Sequence, residues 1–139
     1  MISLFPDICS DHVAESRDFY VRLFDFEILV DIGWYAQLRA PHDKNLQVAF
    51  VDRTSDTVPE PVRERPRGVL VTVEVKDVDA VHARAAGLGL EILLSLRSED
   101  FGQRHFMTVD PNGLPVDVFT TIPPSPEFLR EHGLADGAA

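Results

Sequence analysis

A single cysteine, Cys9, has no partner for an internal disulfide and no CxxC companion for metal or redox chemistry. A lone thiol of this kind is expected to serve as a small buried apolar residue. No apolar run approaches the ~18 residues of a membrane-spanning helix, so no membrane partner is expected. The opening stretch MISLFPDICSD carries neither a basic leader nor a hydrophobic signal core, which makes the cytoplasm the expected compartment. Basic side chains are scarce, 13 against 23 acidic ones, for a formal net charge of -10. That balance excludes nucleic acid as a partner, because phosphates are held by a basic face. No nucleophile motif, phosphate-binding glycine loop or dinucleotide fingerprint is found: DPNG at 110–113 is a turn signal, and GLG at 87–89 lies at a helix end. What remains is a chain of 139 residues whose 45% hydrophobic content argues against disorder and suffices for one domain of ordinary core.

The order of elements repeats. In the first half SLFPDICSD leads to a helix through HVAESRDFYVRLFDF, with Asp11 as candidate cap and Glu15 in its first turn. Val13, Ser16, Tyr20 and Phe24 form one stripe of that helix, widened by Phe19 and Leu23, as a helix lying on a sheet requires. EILVDI, WYAQLRA and NLQVAFV follow as strands, giving β-α-β-β-β. From Gly68 the order restarts: GVLVTVEV is a strand, and Asp77 opens a helix with Val78, Val81, Ala85 and Leu88 on its inner side. Gly87 and Gly89 are candidates for ending that helix in a left-handed turn. LEILLSL, QRHFMTV and LPVDVFT complete the second copy. The letters repeat as well, LFDFEIL with LGLEIL and NLQVAF with GLPVDVF, which bears on architecture before function. Between the copies, DRTSDTVPEPVRERPRG holds three prolines and mixed charge. Arg63, Arg65 and Arg67 there are interspersed with Glu60 and Glu64, so a solvated strap is favoured over an anion site. EFLREHGL reads as a short helix and ADGAA as a frayed tail.

The stretches DHVAESRDFYVRLFDFEI, GVLVTVEVKDVDAVHARAAGLGLEI, FGQRHF and DPNGLPVDVF resemble the vicinal oxygen chelate superfamily, which groups glyoxalases, bleomycin resistance proteins and dioxygenases. The resemblance covers about residues 3 to 122. It implies an α+β fold of two tandem β-α-β-β-β modules forming a cupped, barrel-like mixed sheet. The expected organisation is one domain over 1–139: module one at about 3–51, a linker at 52–67, module two at about 68–122, and a short helix and tail at 123–139. Members are commonly dimers, so a homodimer is expected. The enzymes of the superfamily hold a divalent metal in the cup, with ligands from the first and fourth strands of each module. Carried onto this chain, those positions fall on Phe5, Val48, Leu70 and Asp117, three of which are hydrocarbon. Shifting by one residue gains only Gln47. A lone carboxylate does not hold a catalytic divalent ion, so neither metal nor other cofactor is expected.

If Asp117 faces the cup, alternation puts Gly113, Pro115 and Phe119 beside it and sends Val116 and Val118 toward the helix. Along QRHFMTV either His105 and Met107 or Arg104 and Phe106 face inward, and the first pair is preferred because Phe106 and Thr108 suit the helix side. One of Trp34 and Tyr35 must also face in; with Phe5, Phe50 and Phe101 these make an aromatic pocket for a planar or cationic small molecule. Asp117 beside His105 or Arg104 makes either an ion pair or, with His105, a general base tuned by burial. The first functional reading is a metal-independent binding protein resembling the bleomycin-type resistance branch, which sequesters a drug or metabolite. The alternative is a glyoxalase-like lyase or isomerase using His105 and Asp117 or an unrecognised metal site. A third is a non-catalytic subunit or regulator whose cup is filled by its own side chains.

Overall fold

The computed structural model describes residues 1–134, and the tail at 135–139 lies outside the described residues. The chain clusters into two compact units: residues 1–69 with 110–114, and residues 70–109 with the rest of the C-terminal part. In unit 1 the elements are β1 (Asp7–Ser10), α1 (Val13–Phe24), β2 (Glu27–Asp31), β3 (Tyr35–Arg39) and β4 (Gln47–Asp52). Unit 2 repeats them as β5 (Val71–Glu74), α2 (Val78–Gly87), β6 (Ile92–Glu99), β7 (Gln103–Val109) and β8 (Pro115–Thr121), followed by α3 (Pro126–Glu131). Each unit has a four-stranded mixed sheet of the same order, β1-β4-β3-β2 and β5-β8-β7-β6, with the first and fourth strands parallel. The duplicated β-α-β-β-β pattern is therefore present as an α+β fold.

The stripe foreseen on α1 is the one buried: Val13, Ser16, Phe19, Tyr20, Leu23 and Phe24. Tyr20, 1% exposed, stands at the centre with Phe50 at 5.3 Å, Phe24 at 6.0 Å and Phe26 at 6.1 Å between ring centroids. Each such ring contributes about 1.5–3 kcal/mol by leaving water. The cap differs from expectation. His12, not Asp11, occupies the N-cap and offers no side-chain bond, while Asp11 pairs with Arg53 and Arg65. In unit 2 Asp77 does cap α2, accepting from the Ala80 amide at 3.1 Å. Of the four apolar positions expected to face in from α2, Val78 and Ala85 are buried, whereas Leu88 lies past the helix end and is exposed.

The 52–68 strap is tied down by its own side chains. Arg63 Nε donates to the Val58 carbonyl at 2.9 Å, and Arg65 Nε reaches Asp11 at 3.2 Å. The DPNG turn belongs to unit 1. Asp110 accepts from the amides of Asn112 (2.8 Å) and Leu114 (3.0 Å), from Asn112 Nδ2 (3.3 Å) and from the Tyr20 hydroxyl (3.2 Å). Asn112 Nδ2 also donates to Ser16 Oγ at 2.9 Å, and Ser10 Oγ donates to Asn112 Oδ1. Burial, with Asp110 next, drives the Tyr20 phenol far above its ordinary range.

Gly102, in the turn joining β6 to β7, has φ +104, and an added Cβ would meet Ile122 O at 2.9 Å and Pro124 Cγ at 3.1 Å. Its carbonyl accepts from the Ile122 amide, and the neighbouring Asp100 carbonyl from Ser125, so this turn anchors the start of α3. Gly102→Ala is expected to cost about 1–3 kcal/mol, through left-handed strain plus a backbone clash. Denaturant melts would show it, and an unchanged midpoint would refute it.

Candidate functional site

His105 lies on β7, on the sheet face of unit 2 turned away from α2. Alternation decides this: Phe106 and Thr108 are fully buried, Phe106 meets His82 of α2 edge-on at 5.0 Å, and His105 with Met107 must point the other way. The antiparallel register pairs His105 with Phe119 and Met107 with Asp117, which leaves Asp117 diagonal to His105. Their Nδ1 and Oδ1 are 2.8 Å apart. On the opposite flank β6 pairs Arg97 with His105 and Glu99 with Gln103, and Glu99 Oε2 lies 2.9 Å from His105 Nε2. Arg97 holds the same Glu99 oxygen at 3.0 Å. The His105 side chain is 5% exposed and that of Asp117 12%.

Ionised carboxylates only accept hydrogen bonds, so a ring with a carboxylate on each nitrogen carries a proton on both. Burial pulls the His105 imidazole down, but its hydrogen bonds to Glu99 and Asp117 and their charges outweigh that, and its pKa sits above the ordinary histidine value. Glu99 is held below the usual carboxylate range by its hydrogen bonds to His105 and Arg97. With His105 protonated, the cluster sets Arg97 and the imidazolium against the carboxylates of Glu99 and Asp117. An imidazolium in this setting has no lone pair with which to take a proton or bind an ion. Beside it Phe101, 47% exposed, meets His105 edge-on at 6.3 Å and Phe128 of α3 at 6.4 Å, while Phe128 stacks on His132 at 4.2 Å.

A family model described as the Glyoxalase/Bleomycin resistance protein/Dioxygenase superfamily matches residues 4–118. The chain belongs to this superfamily. An uncharacterized protein of Mycobacterium bovis is 28% identical over 124 residues, 80% of this chain and 78% of that one. Among solved structures, the antibiotic-binding protein TnmS3 from a Streptomyces species is 25% identical, covers 87% of this chain and 95% of its own, and superposes with a TM-score of 0.65. A lactoylglutathione lyase from Agrobacterium tumefaciens, at 17% identity, covers 85% and 92% with a TM-score of 0.66, and shows the fold alone. A binder and a lyase on one fold leave the choice to the site.

The metal used by enzymes of this superfamily does not fit the donors present. Among the described residues no three His, Cys, Asp or Glu side chains are grouped so as to hold an ion. Asp117 and both nitrogens of His105 are already committed to one another and to Glu99. The register also corrects the positions carried over from the sequence. Val48 lies on the face of β4 that bears Phe50 and packs under α1, because Phe50 touches Tyr20. The residue of β4 paired with β1 as Asp117 is with β5 is Ala49, whose partner is Asp7; Asp117 pairs with Thr72. Phe5 and Leu70 precede β1 and β5, and Leu70 is exposed.

The ten residues singled out from the sequence divide by unit. His105, Met107, Asp117 and Phe101 come together in unit 2, where Leu70 also falls. Phe5, Trp34, Tyr35, Val48 and Phe50 belong to unit 1. There Val48 and Phe50 are core, while Tyr35 turns away from α1, since its neighbours Ala36 and Leu38 are fully buried. Burial, with the charge of Asp7 added, raises the Tyr35 phenol, and burial raises Asp7 itself. Arg104, the other candidate partner of Asp117, instead forks onto Asp79 of α2 at 2.9 and 3.0 Å. Sequence reasoning missed Glu99 and Arg97. Folding β6 onto β7 about the EDFG turn would have set both beside His105.

Proposed function

We propose that this protein binds a small planar aromatic molecule on the sheet face of unit 2 built around His105, without a resident metal and without acid–base chemistry. The supporting observation is the pair of carboxylates on the two nitrogens of His105, which leaves neither a free base nor a ligand position. The same pair argues against the lyase or isomerase reading, which needs one of those nitrogens free. A half-exposed Phe101 beside Phe128 and the edge of His105 supplies ring faces for stacking. Because Arg97 and His105 neutralise Glu99 and Asp117, recognition rests on aromatic surface more than on attraction of a cation. Sequestration of an antibiotic or similar metabolite is supported by the likeness to TnmS3.

A homodimer belongs to this proposal. β2 is an edge strand whose Ile28, Leu29 and Val30 are exposed on both faces, with exposed Ile32 and Trp34 just beyond it. Unpaired apolar edges of this kind are covered in stable proteins.

Thermal-shift screening against aromatic drug-like molecules tests the binding reading. A true ligand at a hundred times its dissociation constant stabilises by roughly 2.7 kcal/mol. Phe101→Ala is expected to abolish that shift while leaving the unliganded melting temperature nearly unchanged, since the ring is exposed. A stoichiometric divalent ion bound by Asp117 in the purified protein would overturn the proposal.

A further inference from the structure

The face of the unit 1 sheet turned away from α1 carries a row of polar side chains that ends in a cleft. Tyr35, Gln37 and Arg39 alternate along β3, and β4 sets Gln47 opposite Arg39. Tyr35 Oη donates to Gln37 Oε1 at 2.9 Å, Gln37 Nε2 to Gln47 Oε1 at 2.6 Å, and Gln47 Nε2 to the Lys44 carbonyl at 2.7 Å. Both amides therefore point the same way. Each gives one hydrogen to the next acceptor, and among the described residues the second N–H of each is unspent.

The cleft at the end of this row is a shallow depression open to solvent, with a volume of about 360 Å³ and with Ile2 and Leu29 both exposed on its rim. Ile2 and Leu29 form its apolar side, and Arg39, Lys44, Asn45 and Gln47 its polar side. No acid lines it. Arg39 directs Nε and Nη2 to Glu27 Oε2 and keeps the rest of its donor fork. The Lys44 ammonium makes no ion pair among the described residues. The exposed Asp43 accepts from the Asn45 amide at 2.9 Å. On a chain of net charge -10, Lys44 adds a positive charge, without an ion pair among the described residues, beside the Arg39–Glu27 pair and two side-chain amides.

We infer that this cleft binds a small organic carboxylate, with the carboxylate on Lys44 and Arg39 and its apolar body on Ile2 and Leu29. The donors match a monoanion with planar oxygens, which a guanidinium fork and an ammonium hold together. A phosphate dianion would meet the nearby charge of Glu27 and lacks the carbon body that the apolar side accommodates. This site is built from unit 1 residues alone.

The test is a titration of the isotope-labelled full chain at neutral pH with phenylbutyrate, its uncharged amide phenylbutyramide, and inorganic phosphate, followed through backbone amide shifts. The expected result is saturable movement of the Leu29, Arg39, Lys44, Asn45 and Gln47 signals by phenylbutyrate. The amide should bind about tenfold more weakly, and Lys44→Gln and Arg39→Gln should each weaken phenylbutyrate by about threefold to tenfold. Both variants alter exposed or half-exposed side chains, and an unchanged melting temperature would show that they fold. Absence of any shift at millimolar phenylbutyrate overturns the inference. So do equal binding of the amide, tighter binding of phosphate, indifference to both substitutions, or movement confined to Glu99, Phe101 and His105.

Discussion

Asp110→Ala is expected to lower the unfolding free energy by about 3–5 kcal/mol, the largest single effect among the polar residues outside the His105 cluster. The carboxylate is buried and accepts from two backbone amides, the Asn112 side chain and the Tyr20 hydroxyl. Removing it strands the buried Leu114 amide and Tyr20 hydroxyl, and it loosens the turn that sets Asn112 against Ser10 and Ser16. Tyr20→Phe is the matched control. It removes one of the bonds and keeps the ring, so its cost should be about 1 kcal/mol. Equilibrium denaturation of both variants decides the matter: equal losses would mean that the Asp110 network is not what anchors the turn.

His105→Gln is expected to cost about 3 kcal/mol near pH 6, because it leaves the carboxylate of Asp117 buried without its cation. The loss should shrink as pH rises, and the sign follows from the direction of the shift. The His105 pKa is raised in the folded protein, so its contribution is fully present below its ordinary value of 6.5 and disappears as pH climbs through the higher folded value. Glu99 acts in the opposite direction. Its pKa is depressed, so its contribution is present above its ordinary 4.5 and is lost as pH falls through the lower folded value. The cluster is therefore strongest between those limits. Measuring stability against pH for the native chain and His105→Gln should give curves that converge on the alkaline side. A gap that widens above neutrality would mean that His105 is neutral in the fold, and would return it to the list of candidate bases.

The contrast between these two clusters bears on how the DPNGLPVDVF stretch works. Its turn, through Asp110 and Asn112, serves packing in unit 1. Its strand, through Asp117, serves the His105 site in unit 2. Ten consecutive residues thus divide between a structural anchor and a candidate binding surface. Variants at Asp110 should change stability without changing ligand preference, whereas Phe101→Ala should do the reverse.

Hydrophobic spacing and turn chemistry determined the order of the elements and their duplication from the sequence alone, and the family resemblance supplied the fold they build. The stripe on α1, the Asp77 cap, the strands and their duplicated order all follow from local rules of period and capping, which need no knowledge of distant neighbours. His105, Asp117 and Phe101 were also legible as candidates, because polar or large aromatic residues interrupt strands and turns where the pattern asks for others. Register was not legible. Local sequence says that residues alternate along a strand, not which residue of the next strand stands opposite. The tertiary structure sent Arg104 to Asp79 and brought the Glu99 carboxylate onto the second nitrogen of His105. That last contact decides the chemistry, because the state of an imidazole is set by what meets both of its nitrogens, and the two carboxylates come from strands on opposite sides of it.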